Sequence, residues 1–219
     1  MSPGIKEARA LKLVPAVAER TYYGMVRPAV DLLVRARIRP NLITTIGTAV
    51  VIASAVCFAV GEIRWGGFLL LLSGVADTLD GQVARGGNMA TRFGAFYDST
   101  LDRVGDGATF IGIAIYLLKA PDVAWREAAV LLCMVAILSA LLVSYARARA
   151  EGIGVDCKVG IAQRAERIVG LGLASLLVGA GPRGLVLEVI VALLAVASVV
   201  TVVQRFVYVY RRTEGAQAS

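Results

Sequence analysis

The chain has 219 residues, 58% of them hydrophobic, with a mean hydropathy of +0.73, which is too apolar for an ordinary soluble domain. A net charge of +7 would suit a nucleic-acid binder, but in so hydrophobic a chain basic residues collect in cytoplasmic loops and near anionic headgroups. Histidine is absent, so any acid–base chemistry falls to Asp, Glu, Lys, Tyr or Cys.

Residues 1–39 carry eight Lys/Arg (Lys6, Arg9, Lys12, Arg20, Arg27, Arg35, Arg37 and Arg39) among Leu, Val, Tyr and Met. The pattern predicts a juxtamembrane amphipathic helix lying along the membrane surface, interrupted near Pro15 and Pro28. The first 20 residues lack an apolar core and a small-residue cleavage site, so no removable signal peptide is expected. Six candidate spans follow within residues 40–212. They cover about Asn41–Val60, Trp65–Ala84, Thr91–Leu118, Glu127–Ala150, the shorter Ala165–Ala180, and Leu185–Tyr210. Each approaches the roughly 20 apolar residues that a spanning helix needs. A flexible tail, 213–219, closes the chain. Cys57, Cys133 and Cys157 make no close pair, so neither a disulfide framework nor a zinc site is expected. The expected fold class is an all-α integral membrane protein of six transmembrane helices preceded by a surface helix.

The loops fix an orientation. Connections after the first, third and fifth spans hold little charge, whereas the N-terminal arm, the stretch Arg147–Arg167 and the tail with Arg205, Arg211 and Arg212 are strongly basic. The positive-inside rule then puts both termini on the cytoplasmic side of the cell membrane, a pattern that six spans satisfy and five do not.

The second and third spans meet in "DTLDGQVARGGNMATRFGAFYDSTLD", Asp77 to Asp102. Asp77 and Asp80 are three apart, Asp98 and Asp102 four apart, so each pair shares a helix face. Gly86, Gly87 and Asn88 suit the turn of a hairpin that aims the pairs at one another. Four clustered carboxylates require a cation, and an all-oxygen set suits a hard ion such as Mg²⁺, Mn²⁺ or Ca²⁺. Two divalent ions would balance four carboxylates, a recurring device in phosphoryl transfer. Gly81 and Gly94 leave room for a phosphate, and Arg85 could pair with one. Two other readings are open: ion pairing of the aspartates with Arg85, Arg92 and Arg103, and a cation pathway.

Asp77-x-x-Asp80-Gly81-x-x-Ala84-Arg85, eight residues, Gly94, three residues, Asp98, three residues, Asp102 resembles the signature of the CDP-alcohol phosphotransferase family at every fixed position. The resemblance implies transfer of a phosphatidyl or similar group from a CDP-linked lipid to an alcohol, releasing CMP. It implies one metal on Asp77, Asp80 and Asp98, and a second on Asp77, Asp98 and Asp102, with Asp102 also the base for the acceptor hydroxyl. Gly81, Ala84, Arg85, Thr91 and Gly94 would lie along the CDP moiety, as would "PNLI", Pro40, Asn41, Leu42 and Ile43. The same resemblance suggests a homodimer. Asp106 falls outside the signature, one turn beyond Asp102, as an ion-pair partner or a support behind the ligands.

The signature reads only the donor side. Arg147 in "SYARARAEGIG", Arg167 in "QRAERI" and Arg205 in "QRF" would gather near the aspartate hairpin, where a second basic pocket suits an acceptor that itself carries a phosphate. These segments resemble those of phosphatidylinositol phosphate synthases of actinobacteria and archaea, which implies CDP-diacylglycerol as donor and inositol 1-phosphate as acceptor. Glycerol 3-phosphate is the runner-up. Arg149, Arg164, Arg211 and Arg212 read better as topology markers.

Overall fold

A computed structural model describes residues 16–214. It contains α1 (Ala16–Arg35), α2 (Pro40–Val60), α3 (Ile63–Gly86), α4 (Arg92–Lys119), α5 (Arg126–Gly152), α6 (Arg164–Val178), a 3₁₀ turn (Pro182–Gly184) and α7 (Leu185–Thr213), with no strand among the described residues. The six predicted apolar segments correspond to α2–α7 within two or three residues at each end.

Local chemistry sets the ends. Pro40 starts α2 at a position whose N–H would lack a partner anyway. Gly61 ends it at φ 92°, donating its N–H to Phe58, while Glu62 N–H reaches Cys57; only glycine takes that left-handed position cheaply. Between α3 and α4 the left-handed residue is Asn88, φ 56°, while Gly86 still belongs to the helix. The side chain of Asn tolerates that region better than most. The expected break at Pro28 does not occur: α1 runs through it. Proline costs the helix one hydrogen bond, and burial of Val26 and Val30 against Ile43 and Val83 offsets that. Pro15 lies outside the described residues.

The consecutive helices α2 and α3, α4 and α5, and α6 and α7 pack on one another, and helices distant in the chain close the packing on itself. Helix α2 touches α3 and α4, α3 touches α6, α4 touches α5, and α7 joins α5 to α6. Around that ring all six helices send side chains to one core, including Phe58, Leu70, Ile113, Cys133, Leu171 and Val191. Outside, the ring is apolar. Leu131, Met134 and Leu138 on α5, and Leu193 and Val196 on α7, are exposed, an inside-out distribution that suits lipid rather than water.

By length and composition, α2, α5 and the stretch Pro182–Thr213 are apolar enough to cross a membrane. The other three helices of the ring fall short for visible reasons. Helices α3 and α4 give one end to aspartates and arginines, and α6 has 15 residues, about 22 Å.

Candidate active site

The hairpin brings three of the four signature aspartates together. Asp77 on α3 and Asp98 and Asp102 on α4 each place a carboxylate oxygen within 4.8 Å of the others. Asp98 Oδ1 is buried with no hydrogen-bond partner, a costly state for a carboxylate oxygen unless a cation completes it. The donors are all oxygen and acidic, which fits a hard divalent ion.

Asp80 falls outside that group, although it faces the same cleft as Asp77 and Asp102. It is buried and accepts a 2.6 Å hydrogen bond from Thr44 Oγ1 on α2. Three residues on a helix advance about 300°, so Asp80 sits some 60° round from Asp77, toward α2. Thr44 was not singled out in the sequence, although "PNLITT" places it one turn after Pro40. Thr44→Val keeps the shape and removes the donor. We expect it to destabilise the fold by about 2 kcal/mol by leaving a buried carboxylate short of a partner, measured by thermal unfolding of the purified protein.

The cation among the carboxylates is Arg164, at the start of α6. Its Nη1 lies 2.6 Å from Asp77 Oδ1 and 2.9 Å from Asp102 Oδ1, and its Nε lies 3.7 Å from Asp106 Oδ1. Arg164 had read as a topology marker, and that expectation fails: packing of α6 on α3 carries it into the cluster. Its three-residue spacing from Arg167 was the available signal. Of the three arginines considered as partners, Arg103 reaches Asp102 at 3.8 Å. Among the described residues, no ion pair joins Arg85 or Arg92 to these aspartates.

The remaining donor-side residues gather at the same end of the bundle. Thr91 caps α4, its Oγ1 accepting from Gly94 N–H at 2.9 Å. A methyl group on Gly94 would stand 3.1 Å from Asn41 Oδ1, so Pro40 and Asn41 of α2 approach α4 there. Leu42 is exposed, while Ile43 is buried among Val26, Val30 and Val83. The guanidinium of Arg85 folds back over Gly81, 3.3 Å from where a Cβ would sit, and Ala84 is half-buried.

On the other side of Arg164 lie the three arginines expected to bind an acceptor. Arg167 is buried and ion-paired with Asp106, and its Nη1 donates to Ala162 O at 2.9 Å. Its Nε is buried and unpartnered. Arg205, also buried, donates to Val159 O at 3.0 Å and to Val143 O. Arg147 is exposed and pairs with Glu151 at 2.8 Å. Both Arg147 and Arg167 lie within Coulombic range of Arg205, a concentration of like charge that suits an anion. The segment 155–163 is tied to α7 through Arg205 and through Thr201 Oγ1, which accepts from Ile161 and Ala162 N–H. Gly160 lies against Thr201 so closely that a Cβ would come within 2.3 Å of its methyl.

Thr44, Ser73, Asp77, Asp80, Asp102 and Arg164 face a cleft of 10 Å³, room for one water-sized group. A larger cavity of 640 Å³ opens at the opposite end, beside Gly61, Tyr116, Lys119 and Arg183, and holds none of these aspartates.

A sequence model described as CDP-alcohol phosphatidyltransferase matches residues 37–212. The chain belongs to that family. It is therefore an enzyme, a metal-dependent phosphotransferase of phospholipid biosynthesis and a membrane protein, and the transporter reading is set aside. Among its relatives, it is 38% identical to the phosphatidylinositol phosphate synthase of Cutibacterium acnes, over 87% of this chain and 94% of that one. It is 37% identical to the archaetidylinositol phosphate synthase of Methanothermobacter thermautotrophicus, over 96% and 98% of the two chains. Its fold is similar to that of the Mycobacterium tuberculosis phosphatidylinositol phosphate synthase. The crystal structure of that protein with CDP-DAG bound matches with a TM-score of 0.72, at 33% identity over 84% of this chain and 92% of that one. The crystal structure of the same protein with manganese and citrate gives 0.73, at 32% identity over 84% and 88%.

Proposed function

We propose that this enzyme transfers a phosphatidyl group from CDP-diacylglycerol to inositol 1-phosphate, releasing CMP and forming phosphatidylinositol phosphate. The observation that carries the reading is the juxtaposition of two unlike sites: three convergent carboxylates on the α3–α4 hairpin and, beyond Arg164, the arginines 147, 167 and 205. The first suits a cation-bound diphosphate and the second a phosphorylated alcohol.

In this reading Asp77, Asp80 and Asp98 hold one divalent ion, and Asp77, Asp98 and Asp102 a second. Bound there, Mg²⁺ or Mn²⁺ supplies neutralisation of the diphosphate charge and polarisation at phosphorus. Pro40 to Ile43, Gly81, Ala84, Arg85, Thr91 and Gly94 hold the CDP moiety, with Arg85 pairing a phosphate oxygen. Arg167 and Arg205, fixed by their backbone hydrogen bonds, and Arg147 bind the acceptor phosphate and so orient its hydroxyl. That hydroxyl oxygen bonds to the lipid-side phosphorus as the bond to CMP breaks, and Asp102 takes the hydroxyl proton.

We place residues 40–212 across the cell membrane as six spans, with α1 along its surface; residues 1–15 of the expected surface segment and 215–219 of the expected tail lie outside the described residues. Both termini and the site face the cytoplasm. The basic residues at the aspartate end support that orientation. Exposed Trp65 and Trp125 at one end of the bundle, and Tyr145 and Tyr210 at the other, suit the two interfaces of a bilayer. We further propose a homodimer.

The test is an acceptor panel scored by CMP release from purified protein with CDP-diacylglycerol and Mg²⁺ or Mn²⁺. Turnover is expected with inositol 1-phosphate and is expected to stop on chelation. Turnover only with glycerol 3-phosphate, serine or free inositol would overturn the acceptor and leave the reaction class standing.

A further inference from the structure

Arg164 has no part in the assignment above, yet it is the cation nearest the reacting centre. Its Nη1 contacts Asp77 and Asp102 through Oδ1 atoms at 2.6 and 2.9 Å, and both residues belong to the three-carboxylate cluster. Arg164 is largely buried among Asp77, Asp102 and Asp106, whose charges act on it together. Attraction there is mainly Coulombic, and a doubly charged ion at the same oxygens exerts more of it. Nε already lies 3.7 Å from Asp106, one turn along α4 and outside the cluster. Asp106 faces two arginines, its Oδ1 toward Arg164 and its Oδ2 to Arg167.

We infer that Arg164 is a built-in competitor for the divalent ion: it holds Asp77 and Asp102 until a metal takes them, and Asp106 is the anchor that keeps it beside the site when displaced. The inference rests on the metal assignment of the preceding section. It makes Arg164 and Asp106 positioning residues with opposite effects on metal affinity. Without the guanidinium, the carboxylates lose their competitor and bind metal more tightly. Ion uptake in the wild type exchanges one cation for another, so the cluster never carries its full negative charge unbalanced.

The experiment titrates the full-length purified protein with Mn²⁺ and follows free Mn²⁺ by electron paramagnetic resonance. Arg164→Gln is expected to lower the Mn²⁺ dissociation constant about tenfold, as expected when a close, partly buried competing charge is removed. Arg164→Lys, which keeps the charge, is expected to stay within a few-fold of wild type. A merely structural role would move both variants alike. A second measurement needs no variant: Mn²⁺ is expected to speed phenylglyoxal modification of Arg164 in the wild type, mapped by mass spectrometry, while leaving Arg167 unchanged. The inference is overturned if Arg164→Gln binds Mn²⁺ no more tightly than wild type, or if Mn²⁺ leaves Arg164 reactivity unchanged or protects it. Failure of the wild type to bind Mn²⁺ at all would instead overturn the metal assignment itself.

Discussion

Asp102→Asn is expected to cut CMP release by about 10²–10⁴-fold, the usual worth of a positioned general base, in protein that still folds and still binds CDP-diacylglycerol. The substitution is close to isosteric and keeps one oxygen for Arg164, whose Nη1 retains Asp77 at 2.6 Å. It removes the ability to take a proton and one anionic ligand of the second ion, so the assay is run at saturating metal. No histidine is available to substitute, and in the proposed mechanism Asp77 and Asp98 each serve both ions, whereas Asp102 serves one. The measurement is a steady-state rate with saturating acceptor, alongside a CDP-diacylglycerol binding isotherm. A rate near that of the wild type would remove Asp102 from its role as base. Equal loss of rate and binding would make it a ligand only.

Gly112→Val is expected to destabilise the bundle by about 3 kcal/mol or more, the upper range for overpacking a tight interior. A Cβ on Gly112 would lie 2.2 Å from the carbonyl oxygen of Ala55, and backbone cannot step aside as a flexible side chain can. Here α2 and α4 meet main chain to main chain, the close approach that small residues permit between helices in membranes. The same two helices carry Thr44 and Asp102 to the site, so the loss of stability should be accompanied by loss of activity. Thermal unfolding in detergent reads the first and CMP release the second. A melting point unchanged from wild type would show that the helices separate there at little cost.

The sequence carried the helices and their order, because apolar length and basic loops are local and countable. It carried the three-carboxylate cluster too, since Asp77, Asp98 and Asp102 sit on one hairpin, whereas Asp80, expected with them, turns toward Thr44 on α2. Arg164 was harder to read for the complementary reason, its spacing from Arg167 being the one local signal. It lies 62 residues beyond Asp102, and only the packing of α6 on α3 brings it in. Counting charges near the aspartates in sequence pointed to Arg85, Arg92 and Arg103, of which Arg103 makes a 3.8 Å contact with Asp102. Pro28 misled in another way. A helix-breaking residue is a local signal, and here burial of Val26 and Val30 outweighs it.

The ladder of contacts from Asp77 and Asp102 through Arg164 to Asp106 and on to Arg167 limits how such enzymes can be recombined. In that ladder α6 carries Arg164 and Arg167, α4 carries Asp102 and Asp106, and α3 carries Asp77, so the proposed acceptor side is not a separable module. A chimera that imports α6 from a relative with another substrate preference, without its matching α4, would inherit unbalanced charge beside the reaction centre. An exchange of α6 should therefore need its matching α4 to keep that charge balanced, whatever else acceptor choice requires of Arg147 on α5 and Arg205 on α7.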